Sequence, residues 1–191
     1  MPPKVKISKE MILDAGFKII REEGFEHFNV RRIADVLHCS TQPIMYNFKT
    51  VDDIRTAVYK IADDFHSNYI MPDMSKKDNQ LHLLGMNYIR FGYEEKNLFR
   101  FLFQSNEFSG SDIGQLIDNP EASPLIGMVA AGVGCGIDEA KDIFLEFFCV
   151  VHGFASLLSN NSMNYDEEKA DKLLAKVFNG VIAARENMTG M

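Results

Sequence analysis

Helix punctuation recurs along the whole of this chain, whereas no sustained alternation of apolar and polar residues appears anywhere in its 191 residues. Ser8 is placed to cap a helix whose apolar positions include Ile12, Gly16 and Ile19 beside Leu13, Phe17 and Ile20. Gly24 stands where a glycine ends such a helix. Asn29 caps a short segment, Val30 to Leu37. Ser40 caps another, with Pro43 still in its first turn, where a missing N–H costs nothing. Thr50 with Asp53 makes a capping pattern for a longer helix through about Tyr69. Met71-Pro72-Asp73 breaks the chain, and polar Ser75 to Gln80 follows. Helices are expected over roughly 80–94, 97–105 and 124–133, then a long one from Asp138 through Leu158 and a last one over 167–186. The stretch from Asn106 to Pro124 reads as irregular. The chain is expected to be all-α, with about nine helices.

Hydrophobic residues at 46% and charged residues at 25% describe a folded globular protein. Cys39, Cys135 and Cys149 are widely spaced, which is neither a disulfide framework nor a zinc site and fits a reducing compartment. No signal peptide is recognisable. The longest uncharged segment, Ala122 to Ile137, carries Pro124 and four glycines and is short for a bilayer span, so a soluble, cytoplasmic protein is expected. The net charge of −7 is unevenly spread. Residues 1–51 hold eight Lys/Arg against six Asp/Glu, and the remainder holds 12 against 21. A mildly basic head on an acidic body suits a head that meets phosphates.

Residues 29–48 carry the functional signal. Two helices of about eight residues flank a turn too short for an antiparallel pair, so they must cross steeply, and small Ala34 stands at the crossing. Ile33, Val36 and Leu37 would face Ile44 and Phe48. That is helix-turn-helix spacing, in which the second helix enters the major groove of double-stranded DNA. Gln42 can pair with an adenine edge, and Thr41 offers a hydroxyl and a methyl to thymine. Ser40, Tyr46 and Asn29 can donate to phosphates, and Arg31 or Arg32 can reach the backbone or a guanine. The competing reading is a solvated helical corner.

The landmarks Ile12 to Ala15, Gly24-Phe25, Val30-Arg31, Ile33-Ala34, Ser40, Ile44, Tyr46, Phe48-Lys49 and Ile54 resemble the N-terminal domain of tetracycline-repressor (TetR) family regulators over residues 8–60. Glu94–Phe103 and Val151–Leu157 more faintly resemble ligand-binding domains of that family. The resemblance implies phosphate contacts from Asn29, Tyr46 and Lys49, and base or groove contacts from Arg31, Thr41, Gln42 and Pro43. Three residues depart from the pattern. Met45 replaces a phosphate-binding tyrosine, Val51 a frequent second lysine, and His38 the usual turn glycine. Histidine is among the residues enriched in left-handed conformation, so the turn is expected to persist with some strain.

The expected organisation is a DNA-binding domain at 1–52, a connecting helix from about 51, and an effector-binding and dimerisation domain at 53–191. The long penultimate helix is apolar almost all round. With the last helix it is expected to seal a homodimer as a four-helix bundle through Phe144, Phe147, Val151, Phe154, Leu158, Leu174, Val177 and Val181. A largely apolar small-molecule effector would meet Tyr88, Phe91, Phe99, Phe103, Met128, Phe147, Phe148 and His152, against the plainer reading that these are core. Nothing supports a metal, a cofactor or catalysis. Asp63-x-x-His66 stands alone where a di-iron bundle needs two Glu-x-x-His motifs, and there is no nucleophile elbow or phosphate loop. The expected function is a DNA-binding transcriptional regulator, a ligand-responsive repressor on a palindromic operator. The alternative is a protein-interaction adaptor on the same fold that does not bind an operator.

Overall fold

In a computed structural model, residues 6–71, 80–105, 117–118, 120–161 and 163–189 are described. The polar 75–79 segment and most of the 106–124 stretch lie outside them. Among the described residues there is no strand, and nine α-helices run in order. They are α1 (Lys9–Glu23), α2 (Val30–Val36), α3 (Thr41–Asn47), α4 (Val51–Ile70), α5 (Gln80–Glu94), α6 (Lys96–Gln104), α7 (Ser123–Val133), α8 (Ile137–Asn160) and α9 (Glu167–Thr189). Single 3-10 turns lie at Phe25–His27 and Pro120–Ala122.

The ends of these helices follow from local chemistry. Ser8 Oγ accepts from the Met11 amide at 3.3 Å, and Asn29 Oδ1 accepts from the Arg32 amide at 2.9 Å. Thr50 and Asp53 form a reciprocal box. The Thr50 amide donates to Asp53 Oδ2 at 2.9 Å, and the Asp53 amide donates to Thr50 Oγ1 at 3.0 Å. Ser40 occupies the cap position of α3, but its side chain makes no capping bond. Gly136, not Asp138, caps α8, and Asp138 falls in the first turn. Gly134 closes α7 in the left-handed region at φ +74°, with its amide on the Ala130 carbonyl.

The chain divides into two compact units, 1–68 with 95–108, and 69–94 with 109–191. The expected boundary at residue 52 therefore falls inside the first. In that unit Ile12, Ile19, Ile20, Ile33, Ile44 and Ile54 are fully buried, joined by Leu98, Phe99, Phe101 and Leu102 of α6. Gly16 admits the Phe28 ring and Val58: a methyl group there would sit 3.0 Å from each. Polar ties bind α6 to α1. Arg21 pairs with Glu95, and Asn97 Nδ2 donates to the Arg21 carbonyl at 3.0 Å.

The second unit is built on α5 against α8. At Gly92 the backbones approach so closely that an added Cβ would lie 2.7 Å from the Ala155 Cβ and 2.9 Å from its carbonyl oxygen. Phe147 and Leu174 close over Gly85 in the same way. By length and composition α8 is long and apolar enough to cross a membrane, contrary to the expectation that no segment is. Its apolarity has a local cause. Ala140, Ile143, Phe144, Phe147, Val151, Ala155 and Leu158 are all buried within the unit, against neighbours that include α5, α7 and α9.

Candidate nucleic-acid interface

The elbow between α2 and α3 is a Schellman turn. The His38 amide donates to the Asp35 carbonyl at 3.2 Å and the Cys39 amide to the Ala34 carbonyl at 3.0 Å, with His38 itself at φ +50°. Ala34 is buried, as a steep crossing requires, between fully buried Ile33 and Ile44. Asn47 holds the far end of α3: its Nδ2 donates to the Pro43 carbonyl at 2.8 Å and to the Ile7 carbonyl at 3.3 Å.

With Ile44 as the inward anchor, α3 turns Thr41, Gln42, Met45 and Tyr46 outward. Tyr46 is 81% exposed and Met45 is 39% exposed. Gln42 Nε2 donates to the Tyr46 hydroxyl at 3.2 Å, so the two side chains stand as a pair on one face. Sequence reasoning treated them separately, although their i, i+4 spacing is the signal for such a pair. Arg31, Ser40 and Lys49 are exposed, and Pro43 is half-buried in the first turn. Lys9, which was not singled out, places its ammonium 5.5 Å from the Phe48 ring centroid at the end of α3.

The arginines of this unit fall into two kinds. Arg32 forks onto Glu23, with Nε 2.9 Å from Oε2 and Nη2 2.6 Å from Oε1. The hydrogen bond holds the Glu23 carboxyl below the ordinary carboxylate range and raises the guanidinium. Arg21 pairs with Glu95, Arg100 with Glu26, and Arg55 with Asp52 at 2.8 Å. Arg31 carries no ion pair among the described residues. Arg32, expected beside it as a DNA contact, braces α2 to the end of α1 through Glu23. Asn29 is occupied by its capping bond and by a 3.1 Å bond from Nδ2 to the His27 carbonyl.

The residues expected to line an effector pocket are divided between the two units. Phe99 and Phe103 lie in the first unit, their rings tilted against each other with centroids 5.0 Å apart, and Phe103 meets His66 edge-on. Phe91 and Phe147 are core. Tyr88, Phe148 and His152 do cluster, with the Tyr88 hydroxyl 2.9 Å from His152 Nδ1. Burial pushes the Tyr88 phenol well above its usual range and lowers His152. Only Met128 borders the large cavity of the second unit. That cavity holds about 1260 Å³ between the start of α5, α7 and α9, with Leu81, Val129 and Phe178 among its walls and His82 and Asp171 beside them. The length of side chain each helix turns toward its neighbours is a tertiary fact, and no local pattern marked these residues.

The expected dimer residues also divide. Phe144, Phe147, Val151, Leu158 and Leu174 are buried inside the unit. Phe154, Val177 and Val181 are half-buried. The outward face of α8 and α9 is instead carried by Cys149, Gly153, Leu157, Leu173, Gly180 and Ala184.

No family model and no curated protein matches this chain. Solved structures do. A transcriptional regulator from Rhodococcus sp. Rha1 superimposes with a TM-score of 0.63 at 15% identity, covering 93% of this chain and 97% of that one. A member of the TetR family from Streptomyces coelicolor A3 superimposes with a TM-score of 0.57 at 19% identity, covering 88% and 96%. The chain therefore has a TetR-like fold, an all-α helix-turn-helix head with a helical body.

Proposed function

We propose that this protein is a homodimeric, ligand-responsive DNA-binding transcriptional regulator, a repressor acting in the cytoplasm on a palindromic operator. The observation that carries this reading is the outward face of α3. An isoleucine anchors the helix from within, while Thr41, Gln42, Met45 and Tyr46 are offered to solvent beside exposed Arg31 and Lys49. Thr41, Gln42 and Met45 would meet base edges, methionine taking a thymine methyl, and Tyr46, Ser40, Arg31 and Lys49 would take phosphates.

One such head contacts too little DNA for specific binding, so a second copy is required. Gly153 and Gly180 support it. Both sit mid-helix with nothing within 4 Å of the position a Cβ would take, and a mid-helix glycine costs about 1 kcal/mol relative to alanine. No contact within the protomer accounts for either, whereas close approach of a partner helix would. Heads spaced roughly 34–36 Å apart would enter successive major grooves. A ligand with 1–3 kcal/mol of differential affinity for another spacing would change operator affinity by about 5- to 150-fold.

The test is titration of DNA taken from beside the protein's own gene, repeated across salt concentration. Binding should weaken steeply with salt, and Thr41→Ala with Gln42→Ala should lower affinity about tenfold or more at unchanged salt slope. A salt-independent curve that the double substitution leaves in place would reject the reading. Capture of a protein partner on residues 40–49 without any DNA shift would favour the adaptor instead.

A further inference from the structure

The cavity between α5, α7 and α9 is walled mainly by apolar side chains, and its lining includes one hydrogen-bonded polar pair, His82 of α5 and Asp171 of α9. Their contact is 2.7 Å from Nε2 to Oδ1. Since a carboxylate can only accept, His82 donates from Nε2, and the tautomer carrying its proton there presents Nδ1 as an acceptor. Asp171 keeps a second oxygen as another acceptor, and it is more than half exposed. The amides of Gln80 and Asn179 complete the polar lining.

From this arrangement we infer that the cavity is the effector site, and that its ligand is an apolar polycyclic molecule bearing a hydroxyl. This rests on the ligand-responsive part of the reading above and names the chemistry that part requires. The volume exceeds the few hundred Å³ that encloses a small drug-like molecule, which favours a multi-ring body. The polar rim sets what that body carries. A hydroxyl donates to the free Asp171 oxygen or to His82 Nδ1. An ether leaves both without a donor, and a carboxylate meets the like charge of Asp171. Phe178 and Met128 supply a flat and an adaptable surface for rings.

Three probes with one apolar body test the assignment: 1-hydroxypyrene, 1-methoxypyrene and pyrene-1-carboxylate. The chain contains no tryptophan, so probe emission is read directly on the intact protein without DNA. The hydroxyl compound should bind saturably, and the other two about tenfold or more weakly. His82→Phe with Asp171→Leu should erase the preference for the hydroxyl over the ether. Ala175→Phe, which fills the cavity from α9, should weaken all three, with Ala131→Phe on α7 as the second filling variant if the first lowers thermal stability. Equal binding of the three probes, absence of saturable binding, or a hydroxyl preference that survives the double substitution would overturn the assignment. None of these outcomes bears on operator binding, which is titrated separately.

Discussion

His38 is the one residue other than glycine with a positive φ among the described residues, and it stands at the elbow on which the head depends. At φ +50° an L residue brings its Cβ close to the following carbonyl, a cost of about 1–2 kcal/mol that glycine avoids. Glycine in turn loses more backbone freedom on folding, about 0.5–1 kcal/mol. The Schellman bonds at 3.2 and 3.0 Å are made by backbone alone, so the imidazole is not needed to close the turn. His38→Gly should therefore stabilise the protein by about 0.5–1 kcal/mol, a rise of about 1–4 °C in Tm for a chain of this size. Thermal unfolding checks this. A lower Tm would mean that the imidazole holds the turn through a contact of its own. Gln42 and Tyr46 show the complementary case, in which a residue's neighbour four positions on decides which of its polar atoms faces outward.

At the scale of helices, the adjacent arginines of α2 have separate tasks. Arg32 is spent on Glu23 of α1, and Arg31 points to solvent from the same turn. If Arg31 makes the phosphate contact proposed for it, Arg31→Ala should lower DNA affinity about tenfold and leave Tm unchanged, since the side chain makes no ion pair among the described residues. Arg32→Ala should lower Tm by unpairing Glu23, and should weaken DNA binding only as far as α2 loosens. Parallel melting curves and salt titrations separate the two, and equal effects on DNA affinity would contradict the division. Nothing in the sequence distinguished these neighbours, because Glu23 is nine residues away and meets Arg32 only after α1 and α2 pack. What could be read directly was local. Asn29, Thr50 and Asp53 announce caps within three residues of the amides they bond, and the Ala34 crossing follows from the length of the turn. The aromatic helices were opaque for the opposite reason. Phe99 and Phe103 have the same composition and spacing whether they line a pocket or, as here, place one ring in the core of the head unit and the other half-buried beside it. In α8, apolar residues on nearly every side erased the contrast that would have separated Phe147, turned inward, from Leu157, turned out.

At the scale of the whole molecule, the outward face of α8 and α9 decides between a solitary chain and a pair. Leu157 is 53% exposed and Leu173 is 46% exposed, beside Cys149 and the two glycines that nothing in the protomer approaches. The glycines give opposite expectations under the two arrangements. If this face meets only water, replacing Gly153 and Gly180 adds helix propensity, worth about 1 kcal/mol each, and changes nothing else. If a second copy packs there, side chains at these positions hold the helices apart and expose the leucines they flank. Gly153→Leu with Gly180→Leu should then raise the dimer dissociation constant by about tenfold or more, as overpacked interfaces of this kind lose 1–3 kcal/mol. Sedimentation across a range of protein concentrations reads that shift directly. Operator affinity should fall with it, because each freed protomer carries one α3 to a site built for two, while binding to a single half-site stays as it was. A wild-type chain that sediments as a monomer, or a double variant that remains paired and melts higher, would remove the two-fold arrangement and leave α3 without the second reader that specificity demands.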